Sequence, residues 1–211
     1  MATGTFSLEM HLARLEAAHD LAELREVVRR CEACPLARMG HGPTFGEGVP
    51  GSALLLIGEA PGEEEDRQGR PFVGRAGQLL DRILEAAGFS RTRNVYITNV
   101  VKCRPPGNRV PTPAEQAACR PNLLAELRRL HPRIVVLLGR TALGAMLKTR
   151  QGITQARGHW VEHNGVWLLP TYHPAALLRN PALKTVVWDD FRAVVAKYRE
   201  VVDPGHQGPA V

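Results

Sequence analysis

Three short, mainly apolar runs, each followed by a loop and a helix-like pattern, constrain most strongly what this chain can fold into. They occupy residues 53–57, 94–102 and 134–138. Runs of this kind predict strands that are buried on both faces. Strands that alternate with helices predict a mostly parallel central sheet of about four strands between two helical layers. This is a three-layer sandwich of the α/β class.

The length of 211 residues suits one α/β domain. We place this domain at 31–202, after an N-terminal helical segment at 1–30 that packs on it. Residues 203–211 are expected to form a flexible tail, and the first six residues are expected to be disordered.

Two local patterns predict element boundaries. Thr112, followed by Pro113 and Glu115, has the residues of a helix N-terminus with a capping box. Asn164-Gly165 lies between two apolar runs, which predicts a β-hairpin.

The loop at 58–74 is the first candidate site. It contains Glu59 and the acidic run 63–66, although the net charge of the chain is +6. It follows the first predicted strand, and ligands of open α/β sheets bind at the carboxyl ends of strands. The alternative is a solvated acidic loop whose charges are favoured by the dipole of the next helix.

The basic net charge favours a nucleic-acid partner only modestly. No apolar run approaches the roughly 18 residues of a membrane helix, and the N-terminus does not resemble a signal peptide. We therefore expect a cytoplasmic protein without a membrane partner.

The four cysteines form two pairs, Cys31-x2-Cys34 and Cys103-x15-Cys119. In the expected reducing compartment they are predicted to be metal ligands rather than disulfides. Thiolates suit zinc or an iron–sulfur cluster. A zinc ribbon usually repeats the tight pair, so the wide second pair favours a [4Fe–4S] cluster. Four unrelated buried cysteines are the remaining alternative.

Several motifs occur in one order along the chain. They are Gly58-Glu-Ala-Pro-Gly62, Gly69-Arg-Pro-Phe-Val-Gly74, Tyr96-Ile-Thr-Asn99 with Lys102-Cys-Arg-Pro-Pro106, and His173-Pro-Ala175. With the cysteine pattern, they resemble the uracil-DNA glycosylase superfamily, in particular family 4, the iron–sulfur type. The resemblance covers residues 31–198. It implies a monomeric DNA repair enzyme that flips uracil out of DNA and hydrolyses the bond to deoxyribose.

The resemblance also implies roles for single residues. Phe72 stacks on the uracil, Asn99 reads its edge, and His173 donates to O2 of the leaving anion. Glu59 and Ala60 belong to the first motif and are expected to line the uracil pocket. A loop histidine that caps backbone is the alternative for His173.

The first motif departs from the best-known family of the superfamily. That family has an Asp that activates water and, two positions later, a Tyr that excludes thymine. The matching residues here are Ala60 and Gly62. Glu59 and Glu65 are therefore the catalytic candidates for placing water or stabilising the sugar, and Glu65 is also a candidate for excluding thymine.

The DNA-binding candidates are Leu177, Leu178 and Arg179, which follow the histidine motif, together with Arg104 and Asn108. In the superfamily the first three lie in a loop that enters the minor groove. An amphipathic turn covering the core is the alternative for that loop.

Two other functions are compatible with parts of the pattern. One is a protein that traps uracil-DNA covalently, although the basic insertion of that branch is absent between Lys102 and Pro113. The other is a non-catalytic iron–sulfur or zinc DNA-binding module, which leaves Phe72, Asn99 and His173 without a role.

Overall fold

A single sheet forms the centre of the computed structural model, which describes residues 6–209. Within these residues the sheet has six strands in the order β1-β3-β2-β4-β6-β5. The four inner strands are parallel, and β1 and β5 add antiparallel edges. The strands are β1 (Glu47–Gly48), β2 (Leu54–Gly58), β3 (Val95–Asn99), β4 (Ile134–Leu138), β5 (Val161–His163) and β6 (Val166–Thr171). The predicted mostly parallel sheet is confirmed. Among the described residues it has six strands where about four were expected, because two antiparallel edge strands extend the four parallel ones.

The helices connect the strands and flank the sheet. Those in the described part are α1 (Leu8–Ala17), α2 (Leu21–Arg29), α3 (Glu63–Gln68), α4 (Arg75–Ala86), α5 (Pro113–Leu130), α6 (Arg140–Leu147), α7 (Ile153–Ala156), α8 (Pro174–Arg179) and α9 (Leu183–Val201), with 3₁₀ turns at Pro35–Arg38 and Pro106–Asn108. The predicted capping box opens α5, where the side chains of Thr112 and Glu115 each accept from the other's backbone N–H. The predicted hairpin joins β5 to β6 through Asn164 and Gly165, both with positive φ.

The alternation of side chains along β2 explains the three layers. Leu54 and Leu56 face a core formed with α4, α8 and α9. Leu55 and Ile57 face a second core formed with α5 and α6. Because successive residues of a strand point to opposite faces, a strand that is apolar throughout is covered on both sides. The α1–α2 segment packs outside this sandwich, on α5.

The C-terminal segment packs on the domain as far as residue 209, where the sequence predicted a flexible tail. The His206 ring stacks on Phe89 with centroids 4.3 Å apart, and its Nε2 lies 3.0 Å from the Ala87 carbonyl oxygen. The Arg199 guanidinium also donates to the Gly208 carbonyl. The His206 contacts join residues more than 100 positions apart in sequence, so local composition did not predict them. Residues 1–5 and 210–211 lie outside the described residues.

The parallel register brings four loops to one edge of the sheet. Gly58 at the end of β2 lies opposite Asn99 at the end of β3. Leu138 at the end of β4 lies opposite Thr171 at the end of β6. The loops that follow these strands include 58–74 and the turn that leads to His173.

Candidate active site

A cavity of about 770 Å³ opens at this carboxyl edge of the sheet. The five residues predicted to contact uracil all line it: Glu59, Ala60, Phe72, Asn99 and His173. They come from three separate loops and strand ends. The structure therefore brings together the residues that the sequence placed at one site.

Phe72 and Asn99 converge at Gly58. A Cβ at Gly58 would lie 2.4 Å from Phe72 Cζ and 2.5 Å from Asn99 Oδ1, so this position has no room for a side chain. Asn99 Oδ1 is fully buried and has no hydrogen-bond partner among the described residues. A buried acceptor without a donor costs roughly 1–3 kcal/mol, so the arrangement suits a ligand that supplies the donor.

His173 is the N-cap of α8. Its Nδ1 accepts a hydrogen bond from the backbone N–H of Ala175 at 3.2 Å. Burial, and to a lesser extent the charge of Arg179, lower the pKa of His173 to about 4. The ring is therefore neutral near pH 7, and because Nδ1 is an acceptor, its proton is on Nε2. The Phe72 and His173 ring centroids are 5.6 Å apart, so a neutral N–H donor lies beside the aromatic ring.

Glu59 is held by a residue that the sequence analysis did not place at the site. The hydroxyl of Thr141, in the first turn of α6, donates to the Glu59 carboxylate. A hydroxyl paired with a carboxylate 82 residues away leaves no local signal in the sequence.

Glu65 organises the loop around the cavity. Its Oε1 accepts from the backbone N–H groups of Val73 at 2.9 Å and Gly74 at 2.8 Å, and its Oε2 accepts from that of Gly62 at 3.1 Å. Three donors occupy most of the accepting capacity of a carboxylate. The hydrogen bonds therefore give Glu65 a role in loop structure that the sequence did not predict.

The predicted DNA-contacting residues separate into two groups. Leu177 is 1% exposed and belongs to the core on the α4–α9 side, as the alternative of a turn covering the core describes. Leu178 is 39% exposed, and Arg179 beside it is exposed at the cavity rim. Helical geometry turns Leu177 inward, which places its neighbours outward. Arg104 donates to Asn108 Oδ1 at 2.8 Å on another part of the rim.

The four cysteines line one small pocket on the other side of the β3 end. Within residues 6–209, no three His, Cys, Asp or Glu side chains are grouped closely enough to hold a single metal ion. The thiols converge from three places: the loop after α2, the loop after β3, and α5. A donor set of four thiols with apolar walls has the chemistry of a zinc or iron–sulfur site.

Polar groups that donate to sulfur surround this pocket. Asn122 Nδ2 lies 3.5 Å from Cys31 Sγ and 3.8 Å from Cys119 Sγ. The backbone N–H of Lys102 lies 3.2 Å from Cys119 Sγ. Burial raises the pKa of Cys119 to about 11 and also raises the pKa of Cys103. Neither thiol is thus a reactive thiolate by itself.

Comparisons with known proteins give a family match. Residues 45–192 match the model of the uracil DNA glycosylase superfamily. A type-4 uracil-DNA glycosylase of Thermotoga maritima is 47% identical over 169 residues, which are 78% of this chain and 88% of the relative. One of Saccharolobus solfataricus is 41% identical over 180 residues, 81% of this chain and 83% of the relative. A type-5 uracil-DNA glycosylase of Pyrobaculum aerophilum is 36% identical over 183 residues, 77% and 80% of the two chains.

Proposed function

The chain belongs to the uracil-DNA glycosylase superfamily, and we propose that it removes uracil from DNA as a repair enzyme. It hydrolyses the bond between uracil N1 and deoxyribose C1′ and leaves an abasic site. The observation that carries this proposal is the buried Asn99 Oδ1, which has no donor within residues 6–209 and lies beside Phe72 in the cavity. Among the described residues, no helix combines the length and the apolar character of a membrane span.

Uracil recognition is assigned to Asn99 and Phe72. Asn99 Oδ1 accepts from uracil N3–H, and the amide N–H of the same side chain donates to O4. Cytosine presents an acceptor at N3 and a donor at position 4, so the same amide pairs poorly with it. Phe72 provides the flat apolar face on which the base stacks. The uracil reaches this cavity only when it is flipped out of the helix.

Leaving-group stabilisation is assigned to His173. As the glycosidic bond breaks, negative charge develops on uracil O2. The Nε2–H of neutral His173 donates to that oxygen. A donor already fixed by the Nδ1 hydrogen bond needs no reorganisation during the reaction, which is the condition for strong transition-state stabilisation.

The sugar becomes cation-like in the same step and needs only a weak nucleophile. Glu59 is the proposed group for placing water or stabilising the sugar, and the hydroxyl of Thr141 fixes its carboxylate. Glu65 is proposed to act on this step through the loop structure. Ala60 lines the pocket, but its methyl side chain has no polar group and cannot activate water.

Arg179 and Asn108 at the cavity rim, with the neighbouring Leu178 and Arg104, are proposed to contact the DNA, with Leu178 as the apolar wedge. Arg and Lys contacts to phosphates make such binding strongly dependent on salt. Leu177 is proposed to support this rim from the core.

A [4Fe–4S] cluster is the proposed cofactor, with Cys31, Cys34, Cys103 and Cys119 as ligands. When bound, it supplies a cross-link between distant segments and no step of the reaction. Asn122 and the Lys102 N–H are proposed to donate to the ligand sulfurs, as groups around such clusters commonly do.

The proposal is tested by single-turnover cleavage of a uracil-containing oligonucleotide, with equilibrium binding measured in parallel. We expect His173→Ala to lose about 100- to 1,000-fold in rate, the value of an oxyanion-type donor. DNA affinity should change much less, because phosphate contacts dominate it. Asn99→Asp should cleave uracil more slowly because it offers only acceptors.

His163→Ala and Asn164→Asp are matched controls, since both residues are exposed in the β5–β6 hairpin. A wild-type protein that binds uracil-DNA but releases no uracil would contradict the proposal. A persistent covalent adduct in place of free uracil would indicate the trapping function. A His173→Ala variant that cleaves at nearly the wild-type rate would refute the role of this histidine.

A further inference from the structure

The backbone of Phe72 lies in an unfavourable conformation. Its φ is 55°, in the left-handed region. Such a conformation is energetically unfavourable for a residue other than glycine and persists only where the surroundings impose it. For a bulky aromatic residue it is a clear outlier. The groups that impose it thereby determine where the ring lies in the cavity.

Arg91 binds the backbone of this segment directly. Its Nη1 donates to the Pro71 carbonyl at 2.9 Å, and its Nη2 donates to the Phe72 carbonyl at 2.9 Å. Arg91 comes from the turn before β3, 19 residues beyond Phe72. The planar guanidinium therefore holds two consecutive carbonyls from outside the loop.

The guanidinium is itself fixed by carboxylates. Asp81 on α4 accepts from Arg91 Nε at 3.0 Å and from Nη2 at 2.8 Å. Glu47 on β1 lies 3.6 Å from Nη1. The Arg91 side chain is only 11% exposed. A buried, multiply bonded guanidinium is a rigid support, and a lysine ammonium cannot reproduce its planar fork.

Glu65 and helix α4 also contact the segment 72–74. Glu65 binds the N–H groups of Val73 and Gly74, which follow Phe72. On α4, a Cβ at Gly77 would lie 1.9 Å from the Phe72 carbonyl oxygen, so the helix backbone packs directly against that carbonyl. With the carbonyl held by Arg91 and the following N–H groups held by Glu65, the strained peptide has little freedom to relax.

We propose that Arg91 is a positioning residue for the base pocket. It keeps the Phe72 ring where a flipped uracil stacks on it, and this role rests on the proposed function. Arg91 is not among the residues that line the cavity, so it acts through Phe72 and does not touch the base. Loss of the carbonyl contacts allows Phe72 to leave the left-handed conformation and moves the ring.

The test compares Arg91→Gln and Arg91→Lys with wild type and with Arg93→Gln. Arg93 is exposed in the same turn and is a matched control. Single-turnover cleavage is measured on oligonucleotides that contain uracil or 5-fluorouracil, whose N1 is the better leaving group. Inhibition by free uracil reports on the pocket without DNA. All rates are measured where circular dichroism shows each variant to be fully folded.

We expect both Arg91 variants to lose about 10- to 100-fold in cleavage rate, the effect of misplacing a bound group by about 1 Å. The loss should be equal for uracil and 5-fluorouracil, because stacking does not depend on the leaving group. Free uracil should inhibit the variants more weakly by a similar factor. His173→Ala should behave differently, with a smaller deficit on 5-fluorouracil.

Three results would overturn the role of Arg91: rates within about twofold of wild type, unchanged inhibition by free uracil, or a loss that only follows the unfolded fraction. Rescue of the wild-type rate in Arg91→Lys would also overturn it, because a lysine ammonium lacks the planar guanidinium that holds both carbonyls. If wild type itself fails to cleave uracil-DNA, the proposed function fails. If wild type cleaves and the Arg91 variants cleave equally well, only this inference fails.

Discussion

Removal of the Lys102 ammonium should destabilise the fold severely. Lys102 Nζ donates to Glu126 Oε2 at 2.5 Å, to Thr98 Oγ1 at 2.6 Å and to the Asn99 carbonyl at 3.0 Å. Glu126 also accepts from Thr98 Oγ1 at 2.7 Å and from the Gly46 N–H at 3.0 Å. The two charged side chains are 1% and 0% exposed. Lys102→Met therefore leaves a buried carboxylate without its counter-charge.

The magnitude follows from this geometry. Breaking a buried pair by removing one partner costs about 3–5 kcal/mol. One kcal/mol corresponds to about 2–4 °C in Tm for a chain of this size, so Lys102→Met should lower Tm by about 6–20 °C. The double variant Lys102→Met/Glu126→Gln removes both charges and keeps an amide for Thr98 and Gly46. It should recover about 2–3 kcal/mol relative to the sum of the single variants, the upper range for residues in contact.

Thermal unfolding is followed by circular dichroism at one scan rate. It compares the Tm values of Lys102→Met, Glu126→Gln and the double variant. The control removes the exposed Glu26–Arg29 pair, with side chains 53% and 66% exposed, which should change stability by less than about 1 kcal/mol. Single variants that cost no more than this control, or a strictly additive double variant, would refute the argument. Because Lys102 holds the Asn99 carbonyl, Lys102→Met should also cleave uracil-DNA more slowly where it remains folded.

Three further predictions concern the site. Glu65→Gln should lose about 1–3 kcal/mol of stability, because a side-chain amide cannot accept from all three N–H groups; a slower rate at unchanged Tm would instead give Glu65 a chemical role. Gly58→Ala should weaken inhibition by free uracil about tenfold or more, since its Cβ would meet Phe72 and Asn99, and unchanged inhibition would contradict this. The rate contribution of His173 should stay constant from pH 8 to about 5 and fall towards its pKa of about 4. Because that pKa is below the unfolded value of about 6.5, acid should also destabilise the fold between these two values, and a pH–rate midpoint near 6.5 would refute the assignment.

Much of the fold could be predicted because its signals are local. The apolar runs mark the parallel strands, and Thr112 with Glu115 marks the start of α5 through contacts three residues apart. The two-residue strand β1 and the short helix α3 carry no such signal. α3 lies within the predicted loop, and Asp66 in it binds the N–H of His41, 25 residues away. Short elements of this kind depend on tertiary contacts, which sequence periodicity does not report.

The sequence predicted the residues that line the candidate site but not the residues that hold them in place. Asn99 and Phe72 occur in recognisable motifs, whereas Thr141 and Arg91 join the site only when the chain is folded. The burial of Leu177 was not predictable for a related reason. α8 has six residues, and a helix this short does not establish which of two adjacent leucines faces the core. In the folded chain Leu177 is buried and Leu178 is exposed.

The two interpretations of His173, a backbone cap and a donor to uracil, involve the two different nitrogens of the same ring. A histidine that only capped α8 could use either ring nitrogen and any protonation state that leaves an acceptor. Here the cap uses Nδ1, and burial keeps the ring neutral, so Nε2 must carry the proton. The cap therefore selects the tautomer that the proposed role of His173 requires. A substitution that removes the cap acceptor thus also removes the constraint on the proposed donor, which explains why sequence reasoning could not separate the structural role from the proposed catalytic one.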